Sequence, residues 1–356
     1  MSSPPKALTI SIDAMGGDHG PLIAVAGAAL SLDLLAERTV RFLLHGDEDA
    51  IKAELLRQPR LKGLVEIQHT DRRILGDEKP AQALRRGKGS SLWNSVEAIR
   101  EGRADACVSG GNTGALMAIS KLILRMTGGL DRPAIVASWP TARGITDVLD
   151  VGANIDCGAA QLVEFALLGE AFHRIAHPGN ARPTVGLLNI GSEDVKGHQE
   201  VRDAHRILLE GALEIDYRGF VEGDDIAKGT VDVIVTDGFT GNVALKTGEG
   251  LARFFVNELR TALSSSLLAK AGAFMALGAL NTMRARLEPP GGGPLLGLKG
   301  VVVKTHGGAT ARQFADAVKM AADLAASDYA AAIAASMARL QSALDPAAST
   351  VAEPVQ

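Results

Sequence analysis

The sequence has little cysteine, and its cysteines do not form a recognisable site. Cys107 and Cys157 are the only two among 356 residues, and they are not arranged as a CxxC pair. This arrangement argues against both a zinc site and a disulfide framework. We therefore expect a protein of a reducing compartment, the cytoplasm.

Long hydrophobic runs and an excess of basic residues are also missing. No run reaches the roughly eighteen apolar residues that a membrane-spanning helix needs, and the amino terminus lacks the basic and apolar regions of a signal peptide. The formal net charge is −4, whereas nucleic-acid binding usually depends on a basic surface. We expect neither export nor a nucleic-acid partner, and an anionic ligand must be bound by local positive features.

Four catalytic signatures are absent as well. The sequence contains no GxGxxG motif at the start of a helix, no GxxxxGK[ST], no HExxH and no GxSxG. Dinucleotide redox chemistry, P-loop NTP hydrolysis, zinc proteolysis and serine-esterase chemistry are therefore disfavoured. Without these signatures the sequence offers no obvious protein nucleophile, which suits a reaction in which a bound anion is itself the nucleophile.

Apolar, β-branched runs alternate along the chain with segments of helical period. Such runs are LTISID, TVRFLLHG, TVGLLNIG and VDVIVTDG, and each precedes a helical pattern. Strands joined by crossover helices form a parallel sheet that is covered on both faces. The sequence therefore predicts a three-layer α/β/α sandwich with a mostly parallel sheet, formed by residues 7–344 as a single catalytic domain.

Three segments differ from this pattern. Residues 1–6 and 345–356 are predicted to be disordered ends. The alanine-rich segment from Ala311 to Leu344 is predicted to be one long helix. Residues 262–292 are predicted to form a helical hairpin with an apolar tip, Leu267 to Leu280, which is either core or dimer surface, or an exposed patch that contacts lipid or a long acyl chain.

Glycine-rich polar loops follow five of the predicted strands. Ligands of α/β sheets bind at the carboxyl ends of strands, where helix N-termini favour anions, so these loops predict one amide-rich anion cleft on one sheet edge. For any single loop, a tight turn that uses glycine is the alternative. The residues expected to bind phosphate or an acyl phosphate are Asp13, Gly16, Gly17, Asp18, Ser109, Gly111, Asn112, Thr113, Asn154, Asp156, Asp237 and Gly238.

Inorganic phosphate is the natural ligand of such a cleft because it is already nucleophilic at neutral pH. The enzyme then needs to orient phosphate on a carbonyl and to stabilise the oxyanion that forms. Lys196 and Asn242 supply a cation and an amide donor from two of the loops. Isolated histidines are usually structural, although His19 and His306 could assist anion binding or proton transfer. A nucleophilic role of Cys157 is disfavoured because no histidine partner is nearby in sequence.

Seven motifs in order make the sequence resemble the bacterial phosphate acyltransferases of phospholipid synthesis, the PlsX family. They are IDAMGGDHGP, VSGGNTGALM, LDVGANIDC, NIGSEDVKG, FVEGDDI, VTDGFTGNVALKTGEG and GGPLLGLKGVVVKTHG. The resemblance extends from about Leu8 to about Tyr329. It implies transfer of a long-chain acyl group from acyl carrier protein to inorganic phosphate, with Lys196 and Asn242 as the catalytic residues.

The resemblance also implies a fold similar to that of isocitrate and isopropylmalate dehydrogenases and of phosphotransacetylase. It implies a homodimer that needs no metal and no cofactor and that attaches peripherally to the cytoplasmic membrane face, where a glycerol-3-phosphate acyltransferase consumes the acyl phosphate. Because acyl carrier proteins are acidic, basic patches are expected to bind the carrier. The candidate carrier-protein or membrane contacts are Arg85, Arg86, Lys88, Lys270, Phe274, Leu277, Arg284 and Arg286.

The sequence departs from the family pattern at three places. His19 and Gly20 stand where many relatives have asparagine and alanine, Gly110 stands where alanine is common, and Thr240 replaces a frequent valine. None of these differences removes a polar group from the cleft. Two alternatives remain: a short-chain phosphotransacetylase that uses coenzyme A, and a non-catalytic membrane-associated scaffold for lipid enzymes.

Overall fold

The computed structural model describes residues 7–211, 213–287 and 291–344. The two predicted disordered ends, residues 1–6 and 345–356, lie outside the described residues. The described chain forms one large β-sheet with helices on both faces. The predicted three-layer α/β/α sandwich is therefore confirmed.

The strands of the described chain belong to a single sheet. They are β1 (Leu8–Asp13), β2 (Val40–Gly46), β3 (Val65–His69), β4 (Ala106–Ser109), β5 (Ala134–Thr141), β6 (Gly144–Leu149), β7 (Thr184–Leu188), β8 (Asp216–Val221), β9 (Val233–Val235), β10 (Gly292–Leu296) and β11 (Val301–Thr305). Their order across the sheet is β3, β2, β1, β4, β11, β10, β5, β6, β9, β7, β8.

Helices occupy most of the connections. They are α1 (Pro21–Leu34), α2 (Glu48–Leu55), α3 (Pro80–Arg86), α4 (Ser91–Arg100), α5 (Thr113–Leu124), α6 (Ala159–Ala176), α7 (Gln199–Glu210), α8 (Gly223–Lys228), α9 (Gly238–Ser264), α10 (Leu267–Met275), α11 (Leu277–Leu287), α12 (Ala311–Ala325) and α13 (Tyr329–Leu344). A 3₁₀ turn spans Pro59–Leu61.

The sheet contains two parallel groups that run in opposite directions. One group consists of β3, β2, β1, β4 and β11, and the other of β6, β9, β7 and β8. Between them the pairs β11–β10, β10–β5 and β5–β6 are antiparallel. The expectation that all five glycine loops share one sheet edge is therefore wrong. Apolar runs carry no information on strand direction, and the loops after β1 and β4 belong to a different group from those after β6, β7 and β9.

Different helices cover the two faces of the sheet because successive side chains of a strand point to opposite faces. Ile12 and Val108 pack with Phe314 of α12 in one core cluster. Cys107, the neighbour of Val108, packs instead with Leu116 of α5. A third cluster joins α6, α7 and α13 to the strands of the second parallel group. The core thus lies in two layers on either side of the sheet.

The predicted single helix from Ala311 to Leu344 is in fact two helices, α12 and α13. Ser327 lies between them, where its Oγ donates to Leu324 O at 2.7 Å and accepts from Tyr329 N at 3.3 Å. A serine that bonds to nearby backbone groups competes with the helical hydrogen bonds. The break lets α13 pack against α6 instead of continuing α12.

The predicted hairpin of residues 262–292 falls on the end of α9 and on α10 and α11, with residues 288–290 outside the described residues. Helix α10 has no buried residue. Its apolar side chains at Leu268, Phe274 and Met275 are 84%, 79% and 88% exposed. The tip is therefore not part of the core of this chain. Within the described ranges, no helix combines the length and the hydropathy that crossing a bilayer demands.

Candidate active site

A cavity of about 1200 Å³ lies between α9 and the strands β5, β10 and β11. Thr113 and residues 304–306 line one part of it, and Gly152 and Asn242 line another. Apolar side chains of α9 and α11 line much of the remainder. A concave site with few polar groups and a largely apolar wall is the usual form of a small-molecule site.

The loops after β1 and β4 pack together beside this cavity. Ser109 Oγ donates to Asp13 Oδ2 at 2.7 Å, and Gly111 N donates to Ser109 Oγ at 3.0 Å. Burial raises the pKa of the Asp13 carboxyl. A Cβ on Gly16 would lie 2.5 Å from Asp13 Oδ2 and 2.8 Å from Gly111 N. The close approach of the two loops therefore requires glycine at this position.

Asn112 fixes the start of α5 within this group. Its Oδ1 accepts from Ala115 N at 2.9 Å, which caps the helix. Its Nδ2 donates to the carbonyls of Leu75, Gly76 and Glu78 at 2.8 to 3.2 Å. These contacts occupy the side-chain amide, so the geometry assigns Asn112 to loop positioning and not to side-chain contact with phosphate.

Asp150 joins the loops after β6 and β9 to β5. Its carboxylate accepts from Ile135 N at 2.9 Å, from Asn154 N at 2.6 Å and from Ala153 N at 3.0 Å. Gly238 N, at the start of α9, donates to Asn154 O at 2.7 Å. Burial raises the pKa of the Asp150 carboxyl, and these hydrogen bonds oppose that rise. The network holds the first turn of α9 against the sheet.

Asn242 lies in the first turns of α9 and lines the cavity. Its Nδ2 donates to Val151 O at 3.1 Å. Asp237 caps the same helix by accepting from Thr240 N at 2.8 Å and from Thr240 Oγ1 at 2.7 Å. The backbone N–H groups and the dipole of a helix N-terminus favour an anion. Asn242 thus combines an amide donor with a position at a helix N-terminus.

Lys196 lies in the loop after β7 and is not among the residues that line the cavity. Its Nζ lies 2.8 Å from Glu193 Oε1, and its side chain is 44% exposed. The hydrogen bond to Glu193 raises the pKa of Lys196, so its ammonium is fully protonated at neutral pH. Asn189 Nδ2 donates to Lys196 O at 3.1 Å and fixes the loop. Of the two predicted catalytic residues, only Asn242 lies at the cavity.

Lys304 is a cavity residue that the sequence reasoning missed. It lies near the carboxyl end of β11, with Ser109 and Gly293 as its neighbours in the sheet register. Burial lowers the pKa of Lys304 to about 8. The signal in the sequence was a lysine that directly follows the apolar run GVVV. His306, two residues further on, has its Nε2 3.7 Å from Glu249 Oε1, and burial lowers the pKa of His306.

Cys157 does not have the properties of a nucleophile. Burial raises its pKa to about 12. The thiolate, which is the reactive form, is therefore scarce at neutral pH. This finding agrees with the expectation that Cys157 is not catalytic.

Asp147, His173 and His177 are the group of potential metal ligands that the described part of the chain contains, with ligand atoms within 4.8 Å of one another. His173 Nδ1 lies 2.8 Å and His177 Nε2 3.4 Å from Asp147 Oδ2. Ser138 Oγ donates to Asp147 Oδ1 at 2.5 Å. None of these three ligand candidates lines the cavity. We therefore assign this group no step in the chemistry of the cavity.

The predicted phosphate-binding residues form two groups instead of one. The cavity connects these groups, because Thr113 lines it from the first and Asn242 from the second. Asp18 and Asp156 are exposed. The first group consists of Asp13, Gly16, Gly17, Asp18, Ser109, Gly111, Asn112 and Thr113, and the second of Asn154, Asp156, Asp237 and Gly238, beside the predicted catalytic residue Asn242.

The fold is that of solved phosphotransacetylases. One from Streptococcus pyogenes superposes with a TM-score of 0.60 at 16% identity, over 90% of this chain and 94% of that chain. The EutD phosphotransacetylase from Staphylococcus aureus gives a TM-score of 0.58 at 15% identity, over 90% and 95%. At such identities the likeness concerns the fold alone, and it confirms the fold that the motifs implied.

Closer relatives show the family. The family model described as Fatty acid synthesis protein matches residues 8–332. The phosphate acyltransferases of Caulobacter vibrioides and Phenylobacterium zucineum are 64% and 60% identical to this chain. The alignments cover 94% and 98% of this chain and 93% and 99% of the relatives. The chain therefore belongs to the phosphate acyltransferase family, which confirms the resemblance seen in the motifs.

We predict that Gly241→Ala displaces the start of α9, whereas Gly250→Ala in the same helix does not. A Cβ on Gly241 would lie 2.0 Å from Asp150 O, but one on Gly250 would meet nothing within 4 Å. Gly241→Ala should lower the free energy of unfolding by about 1–3 kcal/mol through overpacking. Gly250→Ala should raise it by up to about 1 kcal/mol through helix propensity. Urea unfolding followed by circular dichroism measures both, and equal stabilities would contradict this contact.

Proposed function

We propose that this chain transfers a long-chain fatty acyl group from acyl carrier protein to inorganic phosphate and thereby supplies an acyl phosphate for phospholipid synthesis. The observation that carries the proposal is the composition of the cavity. Asn242 and Lys304 line polar parts of it, and apolar side chains of α9 and α11 line much of the rest. An anionic nucleophile and a long apolar chain both find complementary surfaces there. Membership of the phosphate acyltransferase family supports the same reaction.

In the proposed reaction, a phosphate oxygen attacks the thioester carbonyl and the resulting oxyanion collapses to release the thiolate. Asn242 donates an amide hydrogen bond from the start of α9, where the helix N-terminus also favours negative charge. Lys196 is proposed to supply a second positive group, although it does not line the cavity in this structure and must move toward it. Because Lys196 now pairs with Glu193, it must exchange that carboxylate for the substrate. The reaction uses neither a metal nor a cofactor.

The carrier protein is proposed to dock on a basic patch beside the cavity. The patch consists of Arg85, Arg86 and Lys88 at the end of α3, and all three side chains are exposed. We name this surface the α3 patch. Helix α3 packs closely against α5, since a Cβ on Gly114 would lie 2.8 Å from Pro80 Cγ. Thr113, the neighbour of Gly114, lines the cavity. The α3 patch therefore lies close to the cavity.

A second candidate surface for the carrier lies on α10 and α11. Lys270 and Arg284 are exposed there, whereas the side chain of Arg286 lies outside the described residues. Arg284 also lines the cavity. The α3 patch is favoured for the carrier because its basic side chains are clustered within four consecutive positions, which gives a compact site for an acidic partner.

A short-chain phosphotransacetylase that uses coenzyme A is the second candidate function, since solved phosphotransacetylases share the fold. The apolar wall of the cavity favours a longer acyl chain, because an acetyl group has no methylene chain to bury there. A non-catalytic scaffold for lipid enzymes would need no cavity of this composition.

The first experiment compares three acyl donors. Purified protein is incubated with palmitoyl-acyl carrier protein, palmitoyl-CoA or acetyl-CoA, with and without phosphate, and free thiol is measured. We expect phosphate-dependent release that is fastest with palmitoyl-acyl carrier protein. Fastest release from acetyl-CoA would identify a phosphotransacetylase, and no release from any donor would contradict an enzymatic role.

We predict that Lys196→Ala lowers kcat by about 100- to 1000-fold, because it removes a stabilising charge from the developing oxyanion. The matched control is Glu193→Gln, which breaks the ion pair but keeps the lysine and should retain most of the activity. Asn242→Ala should cause a smaller loss in the same direction. Unchanged kcat and phosphate KM in Lys196→Ala would remove this lysine from the mechanism.

The protein is further proposed to act as a cytoplasmic homodimer. Leu251, Phe254 and Phe255 on α9 are 63%, 63% and 57% exposed, although Leu251 and Phe255 also belong to the apolar wall of the cavity. An exposed apolar surface of this kind on a helix is typical of an interface. A second copy of the chain is the partner that would cover it.

The apolar tip of α10 is proposed to bind the cytoplasmic membrane surface peripherally. Its exposed leucine, phenylalanine and methionine side chains can insert into the interface, where each buried CH₂ contributes about 0.8 kcal/mol. Exposed Lys270 and Arg284 can contact anionic headgroups. An acyl phosphate released beside the membrane need not cross water to reach a membrane glycerol-3-phosphate acyltransferase.

We predict that the double variant Leu268→Glu, Phe274→Glu no longer sediments with anionic phospholipid vesicles but keeps its phosphate-dependent thiol release. Both side chains are exposed on α10, and neither lines the cavity. Leu277 is left unchanged because it does line the cavity. The tip is not a membrane contact if the double variant binds vesicles at the wild-type level. The same conclusion follows if the double variant loses its dimer but still binds vesicles.

A further inference from the structure

Lys304 occupies a special position in the sheet. It lies in register with Ser109 of β4, which in turn lies in register with Asp13 of β1. Directly opposed residues of neighbouring strands project to the same face of a sheet. Asp13, Ser109 and Lys304 thus form a polar row across three strands, and Lys304 is the member of the row that lines the cavity.

We propose that Lys304 is the catalytic residue that protonates the leaving thiolate in the acyl transfer, an inference that rests on the function proposed above. The Nζ of Lys304 donates one hydrogen bond to Thr305 O. An ammonium group has three N–H donors. Among the described contacts, two donors are therefore left for a phosphate oxygen and a thioester sulfur in the cavity.

The proton balance of this step closes without another reactant. A lone pair of a hydrogenphosphate oxygen forms the new C–O bond, and the C–S bond breaks with its electron pair on sulfur. The sulfur takes a proton from the ammonium of Lys304. The neutral amine then recovers the proton that the phosphate carried, because an acyl phosphate is a stronger acid than a protonated amine. The products are the dianionic acyl phosphate and the free thiol.

Charges around Lys304 suit it to this exchange. Asp13 on β1 and Asp18 in the following loop favour the ammonium, whereas Lys246 on α9 disfavours it. His306 follows on the same strand end, and Glu249 of α9 lies beside His306. Burial has the largest effect and lowers the pKa of Lys304 from 10.5 to about 8. A proton donor works best when its pKa lies near the working pH.

Other groups near the reaction are poorer donors for sulfur. Lys196 does not line the cavity, and its ion pair with Glu193 raises its pKa. The side chain of His306 is 48% exposed, and its lowered pKa leaves it mostly neutral at neutral pH. The amide of Asn242 donates a hydrogen bond but has no titratable proton to transfer. Lys304 is a half-buried cation of the cavity, and its lowered pKa makes its proton exchangeable near neutrality.

The decisive test varies the acidity of the leaving thiol. A thiol of low pKa leaves faster than an alkyl thiol and therefore depends less on an acid. We compare octanoyl thioesters of N-acetylcysteamine and of 4-nitrothiophenol as donors, with phosphate as acceptor. Lys304→Met should lower kcat by about 100-fold or more with the alkyl thioester, but by less than about 10-fold with the aryl thioester.

The matched control is Lys246→Met, which removes another cation from the same cavity. Because Lys246 is not the proposed acid, its loss should change the two rates by similar factors. An equal loss with both thioesters in Lys304→Met would show that Lys304 only binds an anion, which overturns the proposal. Thermal unfolding of each variant separates these effects from misfolding.

The pH profile with palmitoyl-acyl carrier protein gives a second, independent readout. Since the ammonium is the active form, wild-type kcat should fall as the pH rises through about 8, the pKa of Lys304. Lys304→Arg keeps the charge but cannot give up its proton, so its residual activity should show no such fall. If kcat of Lys304→Arg fell with rising pH as it does in the wild type, the proposal would be overturned. Wild-type protein that releases no thiol from palmitoyl-acyl carrier protein would instead overturn the proposed function.

Discussion

The candidate site depends on the docking of α9 against the sheet. This helix forms one wall of the cavity, and its first turn is fixed by the hydrogen bonds that Asp150 and Asn154 make with neighbouring backbone groups. Gly238 and Gly241 allow the backbones to approach, because a side chain at either position would overlap this loop. The same docking places Asn242 at the cavity. One buried carboxylate thus determines where the helix N-terminus, the amide donor and the apolar wall lie.

The electrostatics of the site explain how a chain of net charge −4 can bind an anion. Asp13 is buried beneath the loops after β1 and β4, where its carboxylate is hydrogen-bonded to Ser109. The positive features are local, and they include the N-terminus of α9 and, among the cations on the cavity wall, Lys246 and Lys304. Partial burial strengthens such interactions because water screens them less. It also lowers the pKa of Lys304, so the group that attracts phosphate can also exchange a proton.

Much of the fold followed from the sequence. Apolar runs such as LTISID predicted buried strands, and the glycine motifs predicted loops at strand ends, both of which the structure contains. Strand direction could not be predicted, because antiparallel β10 and β5 are inserted between the two parallel groups by contacts distant in sequence. The prediction of a single helix from Ala311 to Leu344 was wrong for a local reason, since Ser327 bonds to the backbone on both sides of the break.

The candidate site was harder to predict than the fold. Asn242 could be predicted as a site residue because it belongs to a glycine motif, and it lines the cavity. Asn112 belongs to a similar motif, yet its amide fixes a loop, which no local pattern distinguishes from ligand binding. Lys304 could not be predicted, because a lysine at a strand end is usually solvated and only the tertiary structure shows that this one is partly buried. Lys196 differs from Lys304 in the opposite sense. Its motif predicts a site residue, but its side chain pairs with Glu193 and does not line the cavity.

One cavity is proposed to hold both the phosphate and the acyl chain. A crystal structure with a hydrolysis-resistant acyl phosphate analogue, a palmitoyl phosphonate, tests this most directly. We expect phosphonate oxygens within hydrogen-bond distance, about 2.7–3.2 Å, of Asn242 Nδ2 and Lys304 Nζ, with the acyl chain between α9 and β5. A phosphonate bound away from both side chains, or an acyl chain that does not contact α9, would contradict it.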